Sequence, residues 1–388
     1  MLLVIINKTL VMKKNSTALI LLFTSFLLSC SSGEETENEK AFDFPEEINL
    51  EQKDTISNIG EDQFLARPAF VIPMPNGSFV IADGQTLQLH HFDSSNTYIA
   101  SHGGEGRGPG EFEGLSDFIL ENDTLKIVDG RSSRITSYVL DGDQLNRVSI
   151  SDFEYVMLPE YPAAMLRGFV SNTNDTYSAI YMYFGMMSQA NPRLSELVLV
   201  PYSASFKRDT ASDVTALKYL YEFTEDRNII SVPFYERGFY AKVDGYLVHG
   251  LNNMSEIQLY GQSGEIEKEI ELPDTRKTLT KEEKEAVYEE RYQNAEDPNR
   301  FRSMVLSNMP DLRPVIKDIK ADIENRIWVR IYPDEGMFAD WLIFNLEGEA
   351  IASLSLPEGH TFQNANGTRV FLQRQTENGP EIVISEWK

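Results

Sequence analysis

Cysteine is nearly missing from this chain: Cys30 is the only one in 388 residues, which excludes an internal disulfide framework. Basic residues are scarce as well, with 35 Lys and Arg against 60 Asp and Glu and a formal net charge of −25. A surface of that sign repels nucleic acid and anionic headgroups, so neither is expected as a partner. The histidines are few and scattered, at positions 90, 91, 102, 249 and 360. His90 and His91 would point to opposite faces of a strand and could not chelate one ion together. There is no metal-binding helix motif and no nucleophile elbow. Long apolar runs are absent too: Ala18 to Leu28 falls short of the roughly 20 residues that span a hydrocarbon core.

What is present begins with that short run. Lys13 and Lys14 precede it and Leu27-Leu28-Ser29-Cys30 closes it, the layout of a lipoprotein signal with Met12 as the expected start. Residues 1–29 are therefore expected to be removed and Cys30 lipidated, which places the protein in the cell envelope on a lipid anchor in the outer membrane, on its periplasmic or outer side. That removal takes Lys8, Lys13 and Lys14 and no acid, moving the charge from −25 to −28. Residues 30–44 are polar and acidic and read as a flexible tether.

The remainder, 45–388, repeats itself. Residues 76–93, "NGSFVIADGQTLQLHHFD", carry a turn, an apolar run ending in Asp83, a polar turn and an alternating strand. Residues 123–141 repeat that layout with Asp129 in place of Asp83, and residues 244–265 repeat it with Gly250 in place of the acid. Weaker copies lie at 324–349, 366–386 and around 175–203, which makes six units. Each reads as four short strands. Phe79–Ala82 and Leu125–Val128 are nearly continuous apolar runs, as in strands covered on both faces, whereas Ile266–Leu272 alternates strictly. That gradient predicts an all-β six-bladed β-propeller with the alternating strand at the rim. The last unit lacks a strand, and Glu47–Glu51 is expected to complete it, closing the ring and removing an exposed edge.

Between about 276 and 312, ahead of blade five, the pattern turns helical. Thr280-Lys281-Glu282-Glu283 is a capping box, and Asp297-Pro298 offers a second helix start. Leu279, Val287, Phe301, Met304 and Val305 form a stripe expected to face the propeller, either as a surface decoration or as a lid over the channel.

Gly106-Arg107-Gly108-Pro109-Gly110-Glu111-Phe112, after "HFDSSNTYIASHG", together with "ENRIWVRI", resembles the six-bladed β-propeller lipoproteins of Gram-negative bacteria, the TolB-like and NHL-like group. The resemblance covers nearly all of the chain after the signal and implies fold and envelope location, without implying a reaction. The glycine-rich stretch itself is no phosphate cradle, because Pro109 stands where a dinucleotide fingerprint needs glycine and no Gly-Lys-Ser/Thr follows. It suits a crossing from rim to axis, with Arg107 and Glu111 as exposed ligand candidates.

Asp83 and Asp129 are read as acceptors for turn N–H groups, or as calcium or catalytic carboxylates, since some propellers of this kind are metal-dependent lactonases. Calcium is the cofactor that second reading would bring; no metal ligand set is assigned. Inner strands are expected to start near Arg67, Asp117, Arg167, Arg237 and Lys317. Four of these five are cationic, which suggests either a carboxylate-binding channel mouth or arginines that pair with acids between blades. The expectation is a monomeric, non-enzymatic protein binding a protein or an anionic glycan on one face. The alternative is a lactonase-like or sugar-acting hydrolase or lyase using the channel.

Overall fold

The computed structural model describes residues 42–388 apart from 61–62, 173–174, 186–192, 226–227, 295–296, 298 and 334–338. The signal, Cys30 and most of the tether lie outside the described residues.

Six antiparallel sheets follow one another along the chain. Blade one is built from Pro68–Pro73, Phe79–Asp83, Gln88–Phe92 and Tyr98–Gly103. Blade two comprises Asp117–Glu121, Thr124–Asp129, Arg134–Asp141 and Gln144–Asp152. Blade three has five strands, Met165–Ser171, Tyr177–Tyr183, Arg193–Tyr202, Thr215–Glu225 and Asn228–Ile230. Blade four is Gly238–Val243, Tyr246–Leu251, Glu256–Tyr260 and Ile266–Glu271, and blade five is Ile316–Ala321, Ile327–Ile331, Trp341–Phe344 and Ala350–Leu354. Blade six takes three strands from the C-terminus, His360–Asn366, Arg369–Thr376 and Gly379–Trp387, and its fourth, Leu50–Ile56, from the N-terminus.

Second strands carry the core, as their largely apolar runs require. Phe79–Asp83 is buried at every position, whereas in the outermost strand of blade four only Ile270 is buried. Blade six packs onto blade one: Asn364 Nδ2 donates to Val71 O at 3.0 Å, Arg369 Nη1 donates to Gly77 O at 2.8 Å, and the rings of Phe79 and Phe371 lie 5.1 Å apart.

The closing strand is displaced from the expected Glu47–Glu51. Residues before it run along the outer strand of blade five, where Ile48 N–H donates to Ser353 O at 2.8 Å. Phe42, assigned from sequence to the tether, packs on Phe344 with ring centroids 6.4 Å apart. Leu50–Ile56 is an edge strand that is polar from Glu51 to Thr55 and bulged between Gln52 and Asp54, so its hydrophobic pattern was too weak to mark it.

The insertion is a hairpin, Lys277–Thr278 with Leu312–Arg313, enclosing helices α1 (Lys281–Tyr292) and α2 (Arg302–Asn308). The capping box is formed: Thr280 Oγ1 accepts from Glu283 N–H and Glu283 Oε2 accepts from Thr280 N–H. The start expected at Asp297 is not where α2 begins. Asp297 accepts from Asn299 N–H at 3.1 Å in a turn, and α2 starts at Arg302 after Phe301, with no side-chain cap. Four of the five stripe residues face the propeller: Val305 is buried, and Val287, Phe301 and Met304 pack, partly buried, on the same cluster with Phe223, Ile230 and Val232 from blade three and the connection to blade four. Tyr288 and Met309 join them, and Leu279 lies outside that cluster.

Candidate functional site

Inner strands of all six blades enclose a channel of about 980 Å³. The backbone groups of the turns around these strands need partners. Asp83 and Asp129 meet that need. Asp83 Oδ2 accepts from the N–H groups of Ala66 and Arg67, and Oδ1 from those of Gln85 and Thr86. Asp129 does the same with Glu113, Arg131 and Ser132. In blade four, where Gly250 replaces the acid, Asn252 takes the task two residues later, accepting from Arg237 N–H and donating to Tyr235 O, both at 3.0 Å. Gly250 is small because a Cβ there would lie 2.9 Å from Ile319 and 3.0 Å from Ile316 of blade five.

The glycine-rich stretch is a structural crossing. Phe112 is fully buried, while Glu111 folds back so that its carboxylate accepts from Gly108 N–H at 2.7 Å. Arg107 is exposed and paired with Glu113 at 2.7 Å. Arg134 and Arg147 donate to the carbonyls of Arg107, Pro109 and Glu111. The geometry leaves Glu111 occupied and places Arg107 on a surface loop.

The other five candidates do sit at inner-strand starts, but they do not form one ring. Arg67 donates to Gly84 O at 2.6 Å within its own blade and does not line the channel. Arg167 sits on a bulge between Leu166 and Gly168, over the Phe184 ring and 3.2 Å from Met182 Sδ. Arg237 lines the channel, exposed, with its guanidinium 5.0 Å from the Phe239 ring. Lys317 sits on the equivalent bulge of blade five, 4.9 Å from the centroid of Tyr332.

Around Tyr332 a second group of cations joins Lys317, and the sequence reading missed it. Arg313 lies 5.7 Å from the same ring, and Arg330, Arg313 and Arg237 all favour the ionised phenol, although burial outweighs them and raises its pKa. The Phe234 ring meets Tyr332 edge-on at 5.5 Å, joining this cluster to the connection under the helical insertion.

Asp117 is the acid of the set, and it is not free. Lys242, from blade four, reaches across blade three's sector to donate to Asp117 Oδ1 and to Phe118 O, while Phe169 N–H donates to Oδ2 at 2.8 Å. Burial raises the Asp117 pKa against the pull of Lys242. Tyr240 beside it is pushed up to about 12, chiefly by burial and then by the Asp117 charge. Lys242 stands between Ala241 and Val243 in an apolar strand, and that isolated charge was the signal available in the sequence. Among the described residues, no group of three or more His, Cys, Asp or Glu side chains is placed to hold a metal ion.

Six radial sheets, five of four strands and one of five, around a shared channel define a six-bladed β-propeller. The chain belongs to the DUF5128 family, described as a 6-bladed beta-propeller, whose model matches residues 39–249. No curated protein matches the sequence significantly. Similar solved structures include an exported protein of Bacteroides fragilis, at 12% identity over 89% of this chain and 98% of that one, with a TM-score of 0.41. A member of the duf4221 family from Bacteroides vulgatus aligns at 11% identity over 88% and 98%, with a TM-score of 0.46. Virginiamycin B lyase from Staphylococcus aureus aligns at 11% over 88% of each chain, with a TM-score of 0.36.

Proposed function

We propose that this protein is a monomeric, lipid-anchored propeller of the cell envelope that binds an anionic ligand, a glycan or an acidic protein segment, at the cation cluster beside the channel-lining Arg237 without transforming it. The observation that carries the reading is the grouping of Arg237, Arg313, Lys317 and Arg330 about Tyr332, in a chain with almost twice as many acids as bases. Guanidinium groups recognise carboxylates through paired N–H donors, and among the described residues the Arg237 guanidinium rests over the Phe239 ring with no ion pair. The signal-like segment ending at Cys30 supports the anchor and the envelope location.

The test is calorimetric titration with polygalacturonate, polyglutamate and neutral dextran. Arg237→Met should weaken polyanion binding about tenfold or more, since a hydrogen bond to a charged group contributes roughly 1.5–3 kcal/mol, while the melting temperature stays the same. Equal affinity in wild type and Arg237→Met, or equal binding of dextran, would overturn the reading. The competing hydrolase or lyase reading draws on Asp117 and Tyr240 in the channel wall, and release of new reducing ends or unsaturated sugars from polygalacturonate would favour it. Loss of palmitate incorporation in Cys30→Ala checks the anchor.

A further inference from the structure

Lys317 differs from the other lysines in its surroundings. It occupies the bulge between Ile316 and Asp318, is half-buried, and has its Nζ over the Tyr332 ring. Arg313, from the insertion hairpin, flanks the same ring, and Arg330 comes from the neighbouring strand. Two acids face it, Asp340 and Glu290 of α1; Asp340 is held by Arg330 at 2.6 Å, and among the described residues neither forms an ion pair with Lys317. A desolvated amine beside other cations resists protonation, and a neutral amine is a nucleophile.

We propose that Lys317 is an imine-forming site for small anionic carbonyl compounds, aldehydes or ketones that carry a carboxylate or phosphate, with Arg237 and Arg313 attracting the anionic group. The Nζ lone pair bonds to the carbonyl carbon as the C=O π pair moves to oxygen. The resulting carbinolamine loses water, so that one C=O and two N–H bonds become one C=N bond and one water molecule. Nothing is oxidised or reduced, and water reverses the step. Burial, Arg330 and Arg313 lower the Lys317 pKa, outweighing Asp340 and Glu290, which enlarges the reactive fraction near neutral pH.

This site shares the cation cluster described above but requires only the amine. The experiment treats the full chain with pyridoxal 5′-phosphate between pH 6 and 10, traps imines with borohydride, and maps the modified lysines by mass spectrometry. Lys317 should be labelled faster than exposed Lys320 at pH 7, because burial and the neighbouring cations lower its pKa. Inorganic phosphate should compete, and Arg330→Met should move the pH midpoint of Lys317 labelling upward. Lys317→Arg should lose the label. Labelling spread evenly over surface lysines, or a Lys317 midpoint no lower than that of Lys320, would sink the imine site and leave anion binding standing. Labelling of Lys317 in a protein that binds no polyanion would do the reverse.

Discussion

Lys242 of blade four donates to the carboxylate of Asp117 in blade two, joining across the channel two blades that are not neighbours in the ring. Asp117 is almost entirely enclosed, with its side chain 7% exposed, whereas Lys242 keeps 25%. Removing the ammonium leaves a buried carboxylate without its cation. Lys242→Met should therefore destabilise the protein by roughly 3 kcal/mol, the low end for broken buried pairs because Lys242 still touches solvent. The double variant Lys242→Met/Asp117→Leu should regain most of that loss in urea denaturation. A raised native pKa means that the folded state binds the extra proton, so the Lys242→Met deficit should shrink as pH falls toward 4.

Three buried histidines and the half-buried His102 give the opposite pH sign. His90, His91, His102 and His249 all have pKa values lowered, mainly by burial, from 6.5. Below about 6.5 the unfolded chain takes up protons that the native state refuses, so stability present at neutral pH is lost as pH falls. Melting temperature should drop between pH 7 and 5. His102 stacks edge-on with Tyr138 at 5.6 Å, so His102→Phe keeps the ring contact and should flatten that slope. An unchanged slope in His102→Phe would show that this ring contributes nothing to it.

Two adjacent glycines should respond unequally to alanine. Gly103 has φ +91° and a Cβ there would lie 2.6 Å from the Phe112 ring and 2.9 Å from Leu87 O; Gly104, at φ +132°, would meet nothing within 4 Å. Gly104→Ala carries the backbone cost alone, about 1–2 kcal/mol, and Gly103→Ala must exceed it because it also displaces a fully buried ring. Equal melting temperatures for the two variants would contradict this account of the crossing.

Asn252 both accepts and donates at the start of blade four, so its charged isostere cannot replace it. Asn252→Asp would set a carboxylate against the Tyr235 carbonyl and should cost about 1–3 kcal/mol, although Asp83 performs the accepting half of the task in blade one. Chemical denaturation of the two proteins decides it.

The fold was legible because repetition and burial are written in the same alphabet. Phe79–Ala82 and Leu125–Val128 read as covered strands because covered strands are predominantly apolar, and Thr280 and Glu283 capped α1 as their spacing demands. Position along the chain located Arg67, Asp117, Arg167, Arg237 and Lys317 at inner-strand starts. It could not say that Arg67 turns to Gly84 O while Arg237 lines the channel, because a side chain's partner depends on the blade beside it. The pairing of Lys242 with Asp117 and the gathering of Arg313 and Arg330 at Tyr332 join residues far apart in sequence. Short-range periodicity fixed which strands exist and which face each buries; only closing them around an axis brought charges from separate blades within reach of one another.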